Sequence, residues 1–155
     1  MATTSSTWMR SAVPGLCACG IDAETPARFR HMADDPDWPM PFVFSRREIE
    51  HCRALRHPEQ GLCAAFCCKE AFFKAIGVPY NYPDCELLLG QSGDAPRLIV
   101  DRTPMREHRL DRVEARILSL DAAEVVVVVD LYSRNRSANG ASAGSGRSRL
   151  QMVTA

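Results

Sequence analysis

The sequence predicts a single α+β domain. Helical patterns gather between residues 25 and 76, and paired strand patterns follow from residue 85 onward. The chain has 155 residues, one domain's length and enough to bury a core, and it contains no internal repeat. The folded part is expected at 14–132. Residues 1–13 are small and polar, and 133–155 are dominated by Ser, Gly, Arg, Ala and Asn. Neither end has enough apolar surface to offset the entropy lost on ordering, so both are expected to be disordered.

In order, Leu16 to Ile21 alternates as a strand should. Thr25 and Pro26 supply an N-cap and a first-turn proline for a short helix that Asp34-Asp35-Pro36 ends. Ser45-Arg46-Arg47-Glu48 is a capping box, flanked by Phe44 and Ile49 as a hydrophobic staple, and predicts a helix to about Leu55 with Ile49, Cys52 and Leu55 inward. Pro58 opens a long helix to Ile76, with an apolar stripe of Leu62, Ala65, Phe66, Phe73 and Ile76 and with Gly77 as its terminator. Cys85 to Leu89 and Arg97 to Val100 flank a Ser-Gly-Asp-Ala-Pro turn, the pattern of a hairpin. Thr103-Pro104 starts a short helix through Leu110, and Val113 to Leu120 with Val125 to Leu131 form a last strand pair. Five consecutive valines, 125 to 129, imply a strand covered on both faces, and in so small a domain a second subunit is a natural cover.

Composition excludes several function classes. Lys and Arg total 19, as do Asp and Glu, a balance that argues against bulk nucleic-acid binding. The 46% hydrophobic and 25% charged fractions are those of an ordinary globular chain. No apolar run reaches the roughly 18 residues of a membrane span, and the first ten residues lack the apolar core of a secretory signal. A cytoplasmic protein without membrane attachment is expected. The seven cysteines include no CxxC pair, and neither Cys17-Ala18-Cys19 nor Cys67-Cys68 has zinc-site spacing. They are expected to be reduced, mostly buried thiols.

The segment Phe66 to Gly77 carries the most chemistry. Phe66, Glu70 and Lys74 are spaced i, i+4, i+8 and share one helix face, while Lys69 points about 100° away. A carboxylate and a lysine one turn apart are commonly a surface pair. Two further blocks shift that balance here: Gly20-Ile21-Asp22 at the end of the first strand, and the Phe44 to Cys52 capping segment.

Together these blocks resemble the small 4′-phosphopantetheinyl transferases of the holo-acyl-carrier-protein synthase type. Gly20-Ile21-Asp22 matches the family's GxD strand end, with Arg28 six residues on. Phe44-Ser45 with Glu48 is like its F-[ST]-x-x-E segment, and Phe66-x-x-Lys69-Glu70-Ala71-x-x-Lys74-Ala75 matches its F-x-x-K-E-A-x-x-K-A block. The resemblance covers residues 16 to 131 and implies an antiparallel sheet packed against helices, in homotrimers with active sites between subunits. It implies transfer of 4′-phosphopantetheine from coenzyme A to a serine of an acyl or peptidyl carrier protein, releasing 3′,5′-ADP. By the same resemblance Asp22 and Glu70 would hold Mg²⁺, as hard oxygen ligands suited to it. Glu70 would also accept the serine proton through a water, and Lys74 would meet a phosphate. The resemblance gives Lys69 a supporting or phosphate-binding role, with solvent exposure as the alternative. Arg28, Arg46 and Arg47 are the candidate surface for an acidic carrier helix.

The chain departs from the family at two positions. The penultimate strand reads Glu114 to Asp121 without the family's S-x-[ST]-H histidine, whose place falls near Leu118, and Ala65 stands where many relatives have arginine. Arg116 or His108 is the candidate replacement contact to coenzyme A. A transferase-like protein that binds coenzyme A or a carrier without turnover is the alternative reading.

Overall fold

The computed structural model describes residues 14–35, 42–90 and 94–133, with the backbone of Met152–Val153. Strand β1, Leu16–Glu24, leads through a 3₁₀ turn at Pro26–Phe29 into α1, Arg30–Asp34. Helices α2, Arg46–Arg53, and α3, Pro58–Ile76, follow. The hairpin strands β2, Cys85–Leu88, and β3, Arg97–Val100, precede α4, Arg102–Glu107, then β4, Leu110–Leu120, and β5, Val125–Ser133. A two-residue β6 is formed by Met152–Val153.

The main sheet has the order β4-β5-β1-β6, antiparallel except for β6, which runs parallel to β1 opposite Cys19 and Gly20. β2 and β3 form a separate antiparallel pair. This is the α+β domain with an antiparallel sheet that the sequence predicts. The two residues of β6 lie within the tail expected to be disordered; the rest of that tail beyond Ser133, and residues 1–13, lie outside the described residues, as does the hairpin turn at 91–93.

Local chemistry explains the helix ends. Ser45 Oγ accepts from the Glu48 backbone N–H at 3.1 Å while the Glu48 carboxylate accepts from the Ser45 N–H at 3.0 Å, completing the capping box. α3 stops where Gly77 adopts φ of 76°, a left-handed conformation glycine takes without a Cβ clash. α4 begins one residue before the expected Thr103, because Asp101 rather than Thr103 supplies the cap and accepts from the Thr103 N–H at 2.9 Å.

α3 lies across β1 and β5, and it is buried on nearly every side rather than along one stripe. Phe72 is fully buried and Phe73 only partly, the reverse of the expected inward residue, because an enclosed helix has no single core face. The valine run is also buried on both sides of its strand: Val125, Val127 and Val129 join the core, and Val128 on the other face is 5% exposed. All seven cysteines are free thiols, five buried and two half-buried. Among the described residues, no helix is long and apolar enough to cross a membrane.

Candidate functional site

The site forms where β1 passes under α3. Gly20 faces the helix, and a Cβ there would sit 2.0 Å from the Ala71 carbonyl oxygen and 2.9 Å from the Ala75 nitrogen. Only glycine lets the strand come this close. Two residues on, Asp22 points to the same side by strand alternation and meets α3 one turn further along. Lys74 Nζ donates to Asp22 Oδ1 at 2.8 Å, with both side chains more than four-fifths buried. Glu70 stands one helical turn before Lys74 and accepts a hydrogen bond on Oε1 from the Tyr82 phenol. That bond, then burial and the charges of Glu70 and Asp22, push the phenol up to about 12. Asp22, Glu70, Lys74 and Tyr82 therefore make one cluster.

Lys69 goes elsewhere. It is fully buried and paired with the equally buried Glu48 at 2.8 Å, and it also donates to the backbone carbonyls of Tyr82, at 3.0 Å, and Cys85. Burial pushes the Glu48 carboxyl up, and the neighbouring ammonium pulls it back. Glu48 Oε1 further accepts from the Leu87 N–H at 2.9 Å. Lys69 thus has neither the solvent exposure nor the access to a bound phosphate considered above; it ties α2, α3 and the hairpin together.

Arg116 is also apart from the cluster. On β4 it lies opposite Val128, and its Nε donates to Asp130 Oδ2 at 2.7 Å on the sheet face turned away from α3. Cys19 shares that face; burial, and then a hydrogen bond with Asp130, push its thiol up to about 11. Of the candidate carrier-binding residues, Arg28 is exposed, salt-bridged to Glu24, and stacked 5.7 Å above the Phe66 ring. Arg46 pairs with Glu50 at 2.7 Å and Arg47 with Glu86, so Arg46 and Arg47 both carry carboxylate partners. Leu118 is 57% exposed, whereas Ala65 is fully buried in the middle of α3.

The sequence does not single out Tyr82 or Asp130, nor the buried pairing of Glu48 with Lys69. Tyr82 sits in a Pro/Asn-rich connection and carries no motif, and the capping box and F-[ST]-x-x-E pattern around Glu48 say nothing of its pairing with Lys69. A cleft of about 380 Å³ between the start of α3 and the hairpin, lined by Leu55, Arg56, Gln60, Leu89, Ile117 and Leu120 among others, was not anticipated either.

Residues 18–122 match the family model described as the 4′-phosphopantetheinyl transferase superfamily. Among solved structures, a holo-[acyl-carrier-protein] synthase from Neisseria meningitidis is similar, with 17% identity and a TM-score of 0.64 over 76% of this chain and 99% of that one. A holo-ACP-synthase from Plasmodium yoelii is 15% identical, with a TM-score of 0.61 over 77% and 97% of the two chains. The Helicobacter pylori synthase, solved in complex with coenzyme A, is 24% identical, with a TM-score of 0.58 over 73% and 98%. At these identities the likeness is one of fold. No curated protein sequence matches.

Proposed function

Because the chain belongs to the 4′-phosphopantetheinyl transferase superfamily, we propose that it transfers 4′-phosphopantetheine from coenzyme A to a serine of an acyl or peptidyl carrier protein in the cytoplasm. The observation that carries this reading is the Lys74–Asp22 contact at 2.8 Å, one turn from Glu70 on α3. It gathers two carboxylates and an ammonium from distant parts of the chain.

Asp22 and Glu70 fit Mg²⁺, which takes one or two carboxylates and completes its shell with water and phosphate oxygens. When bound, the ion supplies charge neutralisation for the pyrophosphate and the leaving phosphate. Lys74 Nζ, held by Asp22 at 2.8 Å, would meet a phosphate oxygen. The serine oxygen bonds to the phosphorus carrying the pantetheine arm, the bond from that phosphorus to the bridging oxygen breaks, and 3′,5′-ADP leaves with that oxygen. The serine proton passes through a water to the Glu70 carboxylate. The cleft at the start of α3, lined by Arg56, His57 and Gln60 together with Leu55, Leu89 and Ile117, would take the nucleotide end of coenzyme A.

A homotrimer fits the outward sheet face, where Ile21, Arg116 and the exposed Leu118 would meet a neighbouring subunit; Arg116 would then serve a neighbour's site rather than its own. Sedimentation of the purified protein checks the assembly. Exposed Arg28 is the leading carrier contact.

A second reading, a coenzyme A or carrier-binding module without turnover, draws on Leu118 and Ala65, both apolar where relatives have charged or polar contacts. One assay separates the two. Purified protein is incubated with Mg²⁺, coenzyme A and apo carrier proteins, and the carrier's mass is measured. The first reading expects a phosphopantetheine gain that Glu70→Ala abolishes without unfolding the protein. No gain across several carriers, with coenzyme A binding retained, favours the second.

A further inference from the structure

The geometry points to Tyr82 as the positioning residue for Glu70: its phenol takes carboxylate Oε1 and leaves Oε2 as the oxygen that would ligate a divalent ion. This rests on the reading of Glu70 as a metal ligand given above. Three independent restraints hold the tyrosine. Its ring stacks on Phe66, with centroids 6.0 Å apart and an interplanar angle of 11°, and meets Phe73 edge-on at 5.1 Å and 71°. Its backbone carbonyl accepts from Lys69 Nζ at 3.0 Å, and that ammonium is itself pinned by Glu48 and the Cys85 carbonyl. The phenol then has one direction left, and it donates to Glu70.

Adjacent residues of α3 therefore grip opposite ends of one tyrosine. Lys69, turned inward, fixes its main chain, and Glu70, turned outward, receives its hydroxyl. A glutamate on a helix surface otherwise samples several rotamers. A bond from a restrained neutral donor selects one of them without cancelling the charge a metal needs. Ligating carboxylates are commonly oriented by such outer partners, whose removal costs about 10- to 100-fold in metal affinity or activity. Phenylalanine at position 82 would keep both ring contacts and lose only the donor, so the role resides in a single oxygen atom.

The test is titration of the whole protein with Mn²⁺ in the presence of coenzyme A, by calorimetry or electron paramagnetic resonance, alongside the carrier-transfer assay. Tyr82→Phe is expected to weaken Mn²⁺ binding about 10- to 100-fold, and to raise the Mg²⁺ needed for half-maximal transfer by a similar factor. Excess Mg²⁺ should recover its turnover, and the KM for the carrier should stay at the wild-type value. Glu70→Gln should abolish Mn²⁺ binding, with no recovery. Wild-type Mn²⁺ affinity in Tyr82→Phe, with binding lost in Glu70→Gln, overturns the role of Tyr82 and leaves the functional reading standing. Wild-type affinity in Glu70→Gln overturns both. A spectroscopic measurement covers the case of a poorly folded Tyr82→Phe. Glu70→Ala, which removes the acceptor, should shift the near-ultraviolet tyrosine absorption, and an unchanged spectrum contradicts the phenol–carboxylate bond.

Discussion

Gly20 and Ala71 touch backbone to backbone: a Cβ on Gly20 would lie 2.0 Å from the Ala71 carbonyl oxygen. The glycine of one motif block thus lies beneath the alanine of another, and that contact brings Asp22 level with Lys74. Gly20→Ala cannot be absorbed by a rotamer change, since the obstacle is main chain. It should destabilise the protein by about 1–3 kcal/mol, the range for overpacking a filled core. Urea unfolding measures the loss, and transfer activity should fall further than stability as Asp22 shifts from Lys74.

The Glu48–Lys69 pair makes a sharper stability prediction. Both side chains are fully buried, so removing one partner strands a charge. Lys69→Met should cost about 3–5 kcal/mol, and Glu48→Gln, which keeps a neutral amide beside the ammonium, somewhat less. The double substitution should cost less than the sum, as a double-mutant cycle by urea unfolding would record. Additive losses would show that the two side chains act independently.

Arg28→Glu should raise the KM for the carrier protein and barely change that for coenzyme A. The guanidinium is exposed and already neutralised in part by Glu24, so an acidic partner competes with that salt bridge. Reversal of its charge also sets the new carboxylate against Glu24. Steady-state kinetics with each substrate varied in turn separates the two constants.

The Cys19 thiol sits at about 11, raised by burial first and by Asp130 second. Because the thiolate is the nucleophile, alkylation of Cys19 should stay slow at mildly alkaline pH and accelerate only as pH nears that value. Asp130→Asn removes the raising charge and leaves Arg116 nearby, so labelling should become faster at the same pH. Peptide mass mapping after timed iodoacetamide exposure reads both rates.

Much of this fold was legible because its signals are local. Ser45 and Glu48 lie three residues apart, Pro58 and Gly77 bracket α3, and the strand pairs alternate within a few residues. Asp22, Glu70 and Lys74 could be named from spacing and family likeness. Lys69 could not be placed, since a helical wheel sets its angle to Glu70 but not whether that side is covered, and its partner Glu48 is 21 positions away. The Phe72 and Phe73 assignment failed for a related reason: on a helix enclosed by sheet, hairpin and α2, neighbouring residues are both apolar and periodicity loses its meaning. The Arg116–Asp130 pairing depends on the register of β4 against β5, which strand alternation leaves open by two residues.

The most direct measurement is anomalous scattering from crystals grown with Mn²⁺ and coenzyme A. The account predicts a single strong peak between the carboxylates of Asp22 and Glu70, with the pyrophosphate completing its shell and Lys74 beside it. A peak ligated by other residues, or Asp22 and Glu70 held too far apart to share one ion, would contradict it.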